Sequence, residues 1–236
     1  MADPVPYSPE EKSAQPPLSF AEFKASVVRA PTQERIRIPQ TLTETTGPSG
    51  AGVWEKLMGA ALTDLTRQHE GEPVGERIVV EGRVLDEFDR PVPNVMIEIL
   101  QANAAGRYVH QYDQHDAPLD PNFTGAGRVI SDADGRYRFI TVKPGAYPWY
   151  NHWNGWRPAH IHFSLMGAAF ADRLITQMYF PGDPLFPYDA IANAVPEGAR
   201  HRIVARFDPK ATEPFWALAY NFNFVLRGRN ATPMEQ

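Results

Sequence analysis

The chain has 236 residues, 43% of them hydrophobic, and a formal net charge of −5. That length fits one all-β domain or two small ones, and the acidic balance, with Lys and Arg scattered rather than clustered, argues against a nucleic-acid partner. The lack of cysteine excludes disulfide scaffolds, thiolate metal sites and cysteine nucleophiles, while 23 prolines and 17 glycines favour short strands and turns over long helices.

In chain order, residues 1–75 read as a Pro-rich N-terminal arm with short helical patterns at 19–29 and 52–67. An arm so poor in core of its own is expected to pack on a neighbouring surface or a partner subunit. Its first residues, M-A-D-P-V-P-Y-S-P-E-E-K, lack the basic and apolar regions of a signal peptide. No apolar run reaches the roughly 18 residues of a membrane helix, so the expectation is a soluble cytoplasmic protein without membrane contacts. Residues 76–236 carry the strand patterns, at 77–86, 94–103, 136–142, 160–165, 173–179, 202–207 and 218–226. The first two read as a hairpin across E-F-D-R-P-V-P. Seven short strands with turn punctuation point to a single all-β sandwich.

The most informative stretch, 147–164, reads Y-P-W-Y-N-H-W-N-G-W-R-P-A-H-I-H-F-S. In an extended strand, residues i and i+2 share a face. His160 and His162 then lie side by side, close enough to grip one ion, and Ala159, Ile161 and Phe163 form the apolar face. The same pattern also fits two packed, hydrogen-bonded core histidines. Between Pro144 and Ala171 there is no Asp, Glu or Lys, and the one permanent cation is Arg157. A metal here would find imidazoles and the Tyr147 phenol but no local carboxylate. Trp149, Trp153 and Trp156 suit an aromatic-walled pocket, and Tyr147-Pro148 and Arg157-Pro158 stiffen the chain.

W-R-P-A-H-I-H-F, preceded by P-G-A-Y-P-W, resembles the iron site of the intradiol ring-cleavage dioxygenases. The resemblance extends over most of the chain. It takes in E-T-T-G-P at 44–48, G-E-R-I-V-V-E-G-R-V at 75–84, Q-A-N-A-A-G-R-Y at 101–108, L-D-P-N-F at 119–123, L-I-T-Q-M-Y-F at 174–180 and V-L-R-G-R at 225–229. It implies that residues 76–236 form a catalytic sandwich of the transthyretin or immunoglobulin type, with Tyr108, Tyr147, His160 and His162 as ligands of Fe(III). A phenol has a pKa of about 10 in water, but a bound cation holds it as phenolate, a hard anionic donor that suits Fe(III). A 2-His-1-carboxylate Fe(II) site needs an acid this segment lacks. A three-His zinc site needs a distant partner from among His69, His110, His115, His152 and His201. Cupin-type sites follow His-x-His with a Glu where this chain has Met166-Gly167. Asp132 and Asp134 in D-A-D-G lack the remaining ligands of a calcium loop.

The resemblance further implies cleavage of a catechol ring between its hydroxyl-bearing carbons, with both atoms of O₂ incorporated and no reductant. Tyr147 then serves as proton acceptor as well as ligand, and Arg157 stabilises charge developing on the ring. Trp149, Tyr179 and Ile191 stand as pocket walls, and Gln177 as a polar supporting residue. The implied substrate is protocatechuate, opened to 3-carboxy-cis,cis-muconate by an iron-bearing chain paired with a paralogous α subunit in αβ units of a larger hetero-oligomer. Residues 150–155 and 187–190 depart from the commoner pattern beside the pocket, which leaves 4-sulfocatechol, catechol and hydroxyquinol as alternatives. A non-catalytic transthyretin-like binding module accounts for 77–142 but not for 147–164.

Overall fold

The computed structural model describes residues 13–34, 36, 62–150, 153, 155–166 and 174–235. The E-T-T-G-P motif at 44–48 and most of the helical pattern at 52–67 lie outside the described residues. Eleven strands are formed among the described residues: β1 (Arg77–Leu85), β2 (Met96–Leu100), β3 (Ala126–Ile130), β4 (Arg136–Val142), β5 (Tyr147–Pro148), β6 (Trp156–Arg157), β7 (His160–Met166), β8 (Leu174–Tyr179), β9 (Arg206–Phe207), β10 (Leu218–Asn221) and β11 (Phe224–Val225). Two short α-helices, α1 (Lys24–Arg29) and α2 (Ala190–Ala194), and three 3₁₀ turns complete them.

Two sheets make a sandwich. In one, β1 lies between β4 and β10, with β9 beyond β10 and β11 continuing along the β10 edge. In the other the order is β3-β2-β7-β8, all antiparallel. The inner faces supply one core: Ile78, Val80 and Val84 of β1 and Phe139 of β4 meet Ile97 and Ile99 of β2 and Ile161, Phe163 and Leu165 of β7. Along β4 and most of β7 the apolar residues alternate with half-buried or exposed neighbours, as a sheet with one dry face requires, whereas Val79 of β1 is buried in a separate cluster with Ala217 and Ala219. Phe163 stacks on Phe222 and meets Phe139 and Phe224 edge-on, so aromatic contacts tie the two sheets together.

Three details differ from the sequence reading. The chain does turn back after β1, with Val92 N donating to Val84 O, but β1 and β2 do not pair as a hairpin. Pro91 and Pro93 have no amide hydrogen to extend a ladder, and β2 crosses to the opposite sheet. The strand expected at 202–207 shrinks to Arg206–Phe207, because Glu197–Ile203 forms a 3₁₀ turn. Finally, A-G-R-V-I forms β3 although its alternation is weak, since the free edge of β2 supplies the pairing.

Candidate metal centre

The outer face of the second sheet carries the chemistry. Register sets His160 of β7 opposite Tyr179 of β8, and His162 opposite Gln177. All four side chains therefore share the face turned away from the Ile161–Phe163 core. The β5–β6 ribbon folds over this face and pairs Tyr147 directly with Arg157. Tyr108 arrives from the loop after β2, where Asn103 acts as the organiser. Its side-chain oxygen accepts from the Ala105 and Arg107 amides, and its carbonyl accepts from Gly106 N and Gly145 N. Gly106 takes a φ of 77°, and a Cβ there would collide with the Ala146 carbonyl and crowd Tyr147 Cβ. Glycine thus lets the two tyrosine-bearing segments touch, and the Tyr108 and Tyr147 rings meet edge-on at 5.3 Å.

The four side chains converge. His160 Nε2 lies 3.1 Å from His162 Nε2 and 3.3 Å from Tyr147 Oη, and the Tyr108 ring lies 6.3 Å from that of His162. Both imidazole tautomers follow from their far nitrogens. His160 Nδ1 is 2.8 Å from the Pro158 carbonyl and His162 Nδ1 is 3.1 Å from Glu235 Oε2. A carbonyl and a carboxylate can only accept, so both Nδ1 atoms carry the proton. In the neutral rings the two Nε2 atoms are then both acceptors, 3.1 Å apart, and Arg157 Nη1 donates to that of His160. Burial, together with Arg157 and His162, pushes the His160 pKa well below the usual imidazole value and keeps that ring neutral. Tyr108 Oη is buried without a hydrogen-bond partner, and burial and Tyr147 push its pKa well above that of an ordinary phenol. Unpartnered buried polar atoms call for an explanation. A cation among these two imidazole nitrogens and two phenol oxygens would be the partner that Tyr108 Oη lacks and would relieve the apposition of the two Nε2 atoms, and those donors fit a hard ferric ion.

Arg157 is the hub behind the histidines. It is 2% exposed. Its Nε donates to Asp189 Oδ2 at 2.8 Å, Nη2 to Gln177 Oε1 at 2.6 Å and to Tyr179 Oη at 2.9 Å, and Nη1 to His160 Nε2 at 3.0 Å and Tyr147 Oη at 3.3 Å. Burial works against its charge, but Asp189, with Tyr179 and Tyr147, more than offsets that and raises its pKa. Asp189 in turn is buried, and Arg157 outweighs the burial and holds its carboxyl below the usual carboxylate range. The same carboxylate caps α2 by accepting from Ile191 N and Ala192 N.

Every site residue expected from sequence is placed on or beside this face. Trp149 is half-buried, with the Arg157 guanidinium carbon 5.2 Å from its ring centroid. Ile191 packs with Phe23 of the arm. Tyr179 and Gln177 are fully buried and give their oxygens to Arg157. Two acids were missed. Asp189 had a usable signal, an acid at the start of the short apolar A-I-A-N-A helix; Glu235, in T-P-M-E, had none. Of the alternative histidine ligands, His69 pairs with Thr124, His115 with the Gly106 carbonyl, His110 accepts from the Tyr112 amide, and His201 is exposed; His152 lies outside the described residues.

A protein-family model described as Dioxygenase matches residues 52–228. Over an alignment of 238 positions that spans 100% of both chains, the sequence is 53% identical to the protocatechuate 3,4-dioxygenase beta chain of Burkholderia cepacia. The chain belongs to the intradiol dioxygenase family. This intradiol dioxygenase is also 28% identical over 201 residues to the protocatechuate 3,4-dioxygenase alpha chain of the same organism, spanning 83% of this chain and 96% of that one. It shares its fold with 3-chlorocatechol 1,2-dioxygenase from Rhodococcus opacus 1CP, at 21% identity and a TM-score of 0.54, over 69% of this chain and 63% of that one. No helix among the described residues is long and apolar enough to cross a membrane.

Proposed function

We propose that this chain is the iron-bearing subunit of a protocatechuate 3,4-dioxygenase and that Tyr108, Tyr147, His160 and His162 hold Fe(III). The observation that carries the metal assignment is the pair of facing Nε2 acceptors 3.1 Å apart beside a buried, unpartnered Tyr108 hydroxyl. The substrate assignment rests on the full-length likeness to the Burkholderia cepacia beta chain. The likeness to an alpha chain supports pairing with a paralogous α subunit.

Fe(III), when bound, supplies the Lewis acidity that takes the diol as a dianion and the covalency that opens its ring to O₂. The overall reaction adds both oxygen atoms of O₂ to protocatechuate and gives 3-carboxy-cis,cis-muconate, with no external reductant. The chain's own residues do the rest. Tyr147 Oη, as phenolate, accepts one of the two catechol protons. Arg157 is held rigid by Asp189, Gln177 and Tyr179 and offers a fixed cation to charge developing on the ring. A preorganised cation in a dry site needs no reorganisation during the reaction, which is where electrostatic stabilisation is strongest. Trp149 and Ile191 wall the substrate side, and Gln177 and Tyr179 act through Arg157.

Two measurements test this. The purified protein should be burgundy from phenolate-to-iron charge transfer, and a colourless protein with stoichiometric zinc would overturn the iron centre. Co-purified with its α partner, it should turn over protocatechuate well ahead of catechol and 4-sulfocatechol; preference for either of those would overturn the substrate.

A further inference from the structure

Segment 231–235 is drawn tightly across the site sheet although it forms no strand. Thr232 exchanges two bonds with Val225, its amide donating to the Val225 carbonyl and its Oγ1 accepting from the Val225 amide. Thr176 Oγ1 donates to the Pro233 carbonyl at 2.6 Å, and Glu235 N donates to the Ile175 carbonyl at 2.8 Å. Gln15 of the N-terminal arm clamps the strap from outside. Its Oε1 accepts from Met234 N at 2.7 Å and its Nε2 donates to the Thr232 carbonyl at 3.3 Å. These bonds fix the one side chain of the strap that reaches the metal centre, Glu235, whose Oε2 sits 3.1 Å from His162 Nδ1.

We propose that Glu235 is a positioning residue for the metal centre: it holds the Nδ1–H tautomer and ring angle of His162, and the strap clamped by Gln15 holds Glu235. His160 needs no such group, because the Pro158 carbonyl two residues away does the same for its ring. His162 lies farther along β7 and takes its acceptor from 73 residues away in sequence. A carboxylate accepts more strongly than a neutral amide carbonyl, and outer partners of this kind typically tune metal affinity by about 10–100-fold. The inference rests on the metal-centre reading, but half of its test does not.

In the metal-free protein, ¹⁵N chemical shifts of the His162 ring should report one tautomer, protonated at Nδ1. Glu235→Ala should give a mixture, and Glu235→Gln, whose amide oxygen still accepts, should restore the single form. A fixed Nδ1–H tautomer in Glu235→Ala would overturn the proposal whether or not the protein binds iron. In chelator competition, Glu235→Ala should weaken iron binding by about 10–100-fold and shift the visible band, with Glu235→Gln recovering most of both. Equal affinity and an unchanged band in Glu235→Ala, beside a wild type that does bind iron, would likewise overturn it. A wild type that binds no iron overturns the metal-centre reading instead, and the tautomer result then stands by itself.

Discussion

At the scale of single residues, the buried pair Arg157–Asp189 governs two properties at once. Removing one partner of a buried ion pair typically costs about 3–5 kcal/mol, because the other charge is left uncompensated. Arg157→Ser should therefore lower the unfolding free energy by about that amount as well as slow ring cleavage, while the iron and its colour stay. Ring cleavage at the wild-type rate by a folded Arg157→Ser enzyme would show that the guanidinium is structural alone. Asp189 also predicts an acid limb. Its folded pKa lies below its unfolded value of about 3.9, so its stabilisation is complete above that pH and is lost as pH falls through the lower, folded value. Thermal transitions of the metal-free protein should drop between about pH 4 and more acid values. Asp189→Asn should start lower and show a shallower drop, and parallel acid limbs would sink the assignment.

At the scale of elements, the tyrosine pair depends on a loop contact rather than on strand register. Gly106→Ala puts a Cβ into the Ala146 carbonyl and a non-glycine residue at a φ of 77°. The left-handed conformation alone costs roughly 1–2 kcal/mol, and relief of the clash must push the β5 segment, and with it Tyr147, away from Tyr108. The variant should lose at least that stability in denaturant melts, and its charge-transfer band should shift or weaken. An unchanged band would mean that the loop tolerates the displacement without moving the phenols. This contact also marks what could be read from the sequence. His160 and His162 were legible because a strand's period of two needs no tertiary information. Gln177 stood out as a polar residue in an apolar strand and Tyr179 was read as a pocket wall, but neither was legible as a prop of Arg157, since register between β7 and β8 depends on the whole sheet. Tyr108 looks like any strand or loop tyrosine until Asn103 and Gly106 turn it inward, and only the family likeness marked it. Glu235 gave no local sign, because its role is created by a strap 73 residues distant from His162. The β1–β2 hairpin was misjudged for a related reason: local turn signals say that the chain reverses, not which sheet it joins afterwards.

At the scale of the whole molecule, the described part of the arm docks where the site is held. Phe23 packs on Trp149 at a ring distance of 5.2 Å and on Ile191, and Gln15 clamps the strap that carries Glu235. The arm therefore reports on the site it covers, and Gln15→Ala should weaken iron retention in the same direction as Glu235→Ala but less. Around the same side, Tyr150 is 92% and Trp153 is 73% exposed, the latter edge-on to Tyr188. Large aromatics exposed near a site fit a surface that a partner covers, in keeping with the proposed α subunit. Expressed alone, the chain should aggregate or show little protocatechuate turnover, and co-expression with an α-type chain should restore a larger, active species. Size-exclusion chromatography with activity measured across the eluate decides it. A fully active species eluting at the 26.5 kDa of one chain would refute the paired-subunit reading, and the exposed Tyr150 and Trp153 rings would then be ones that the isolated chain tolerates in water.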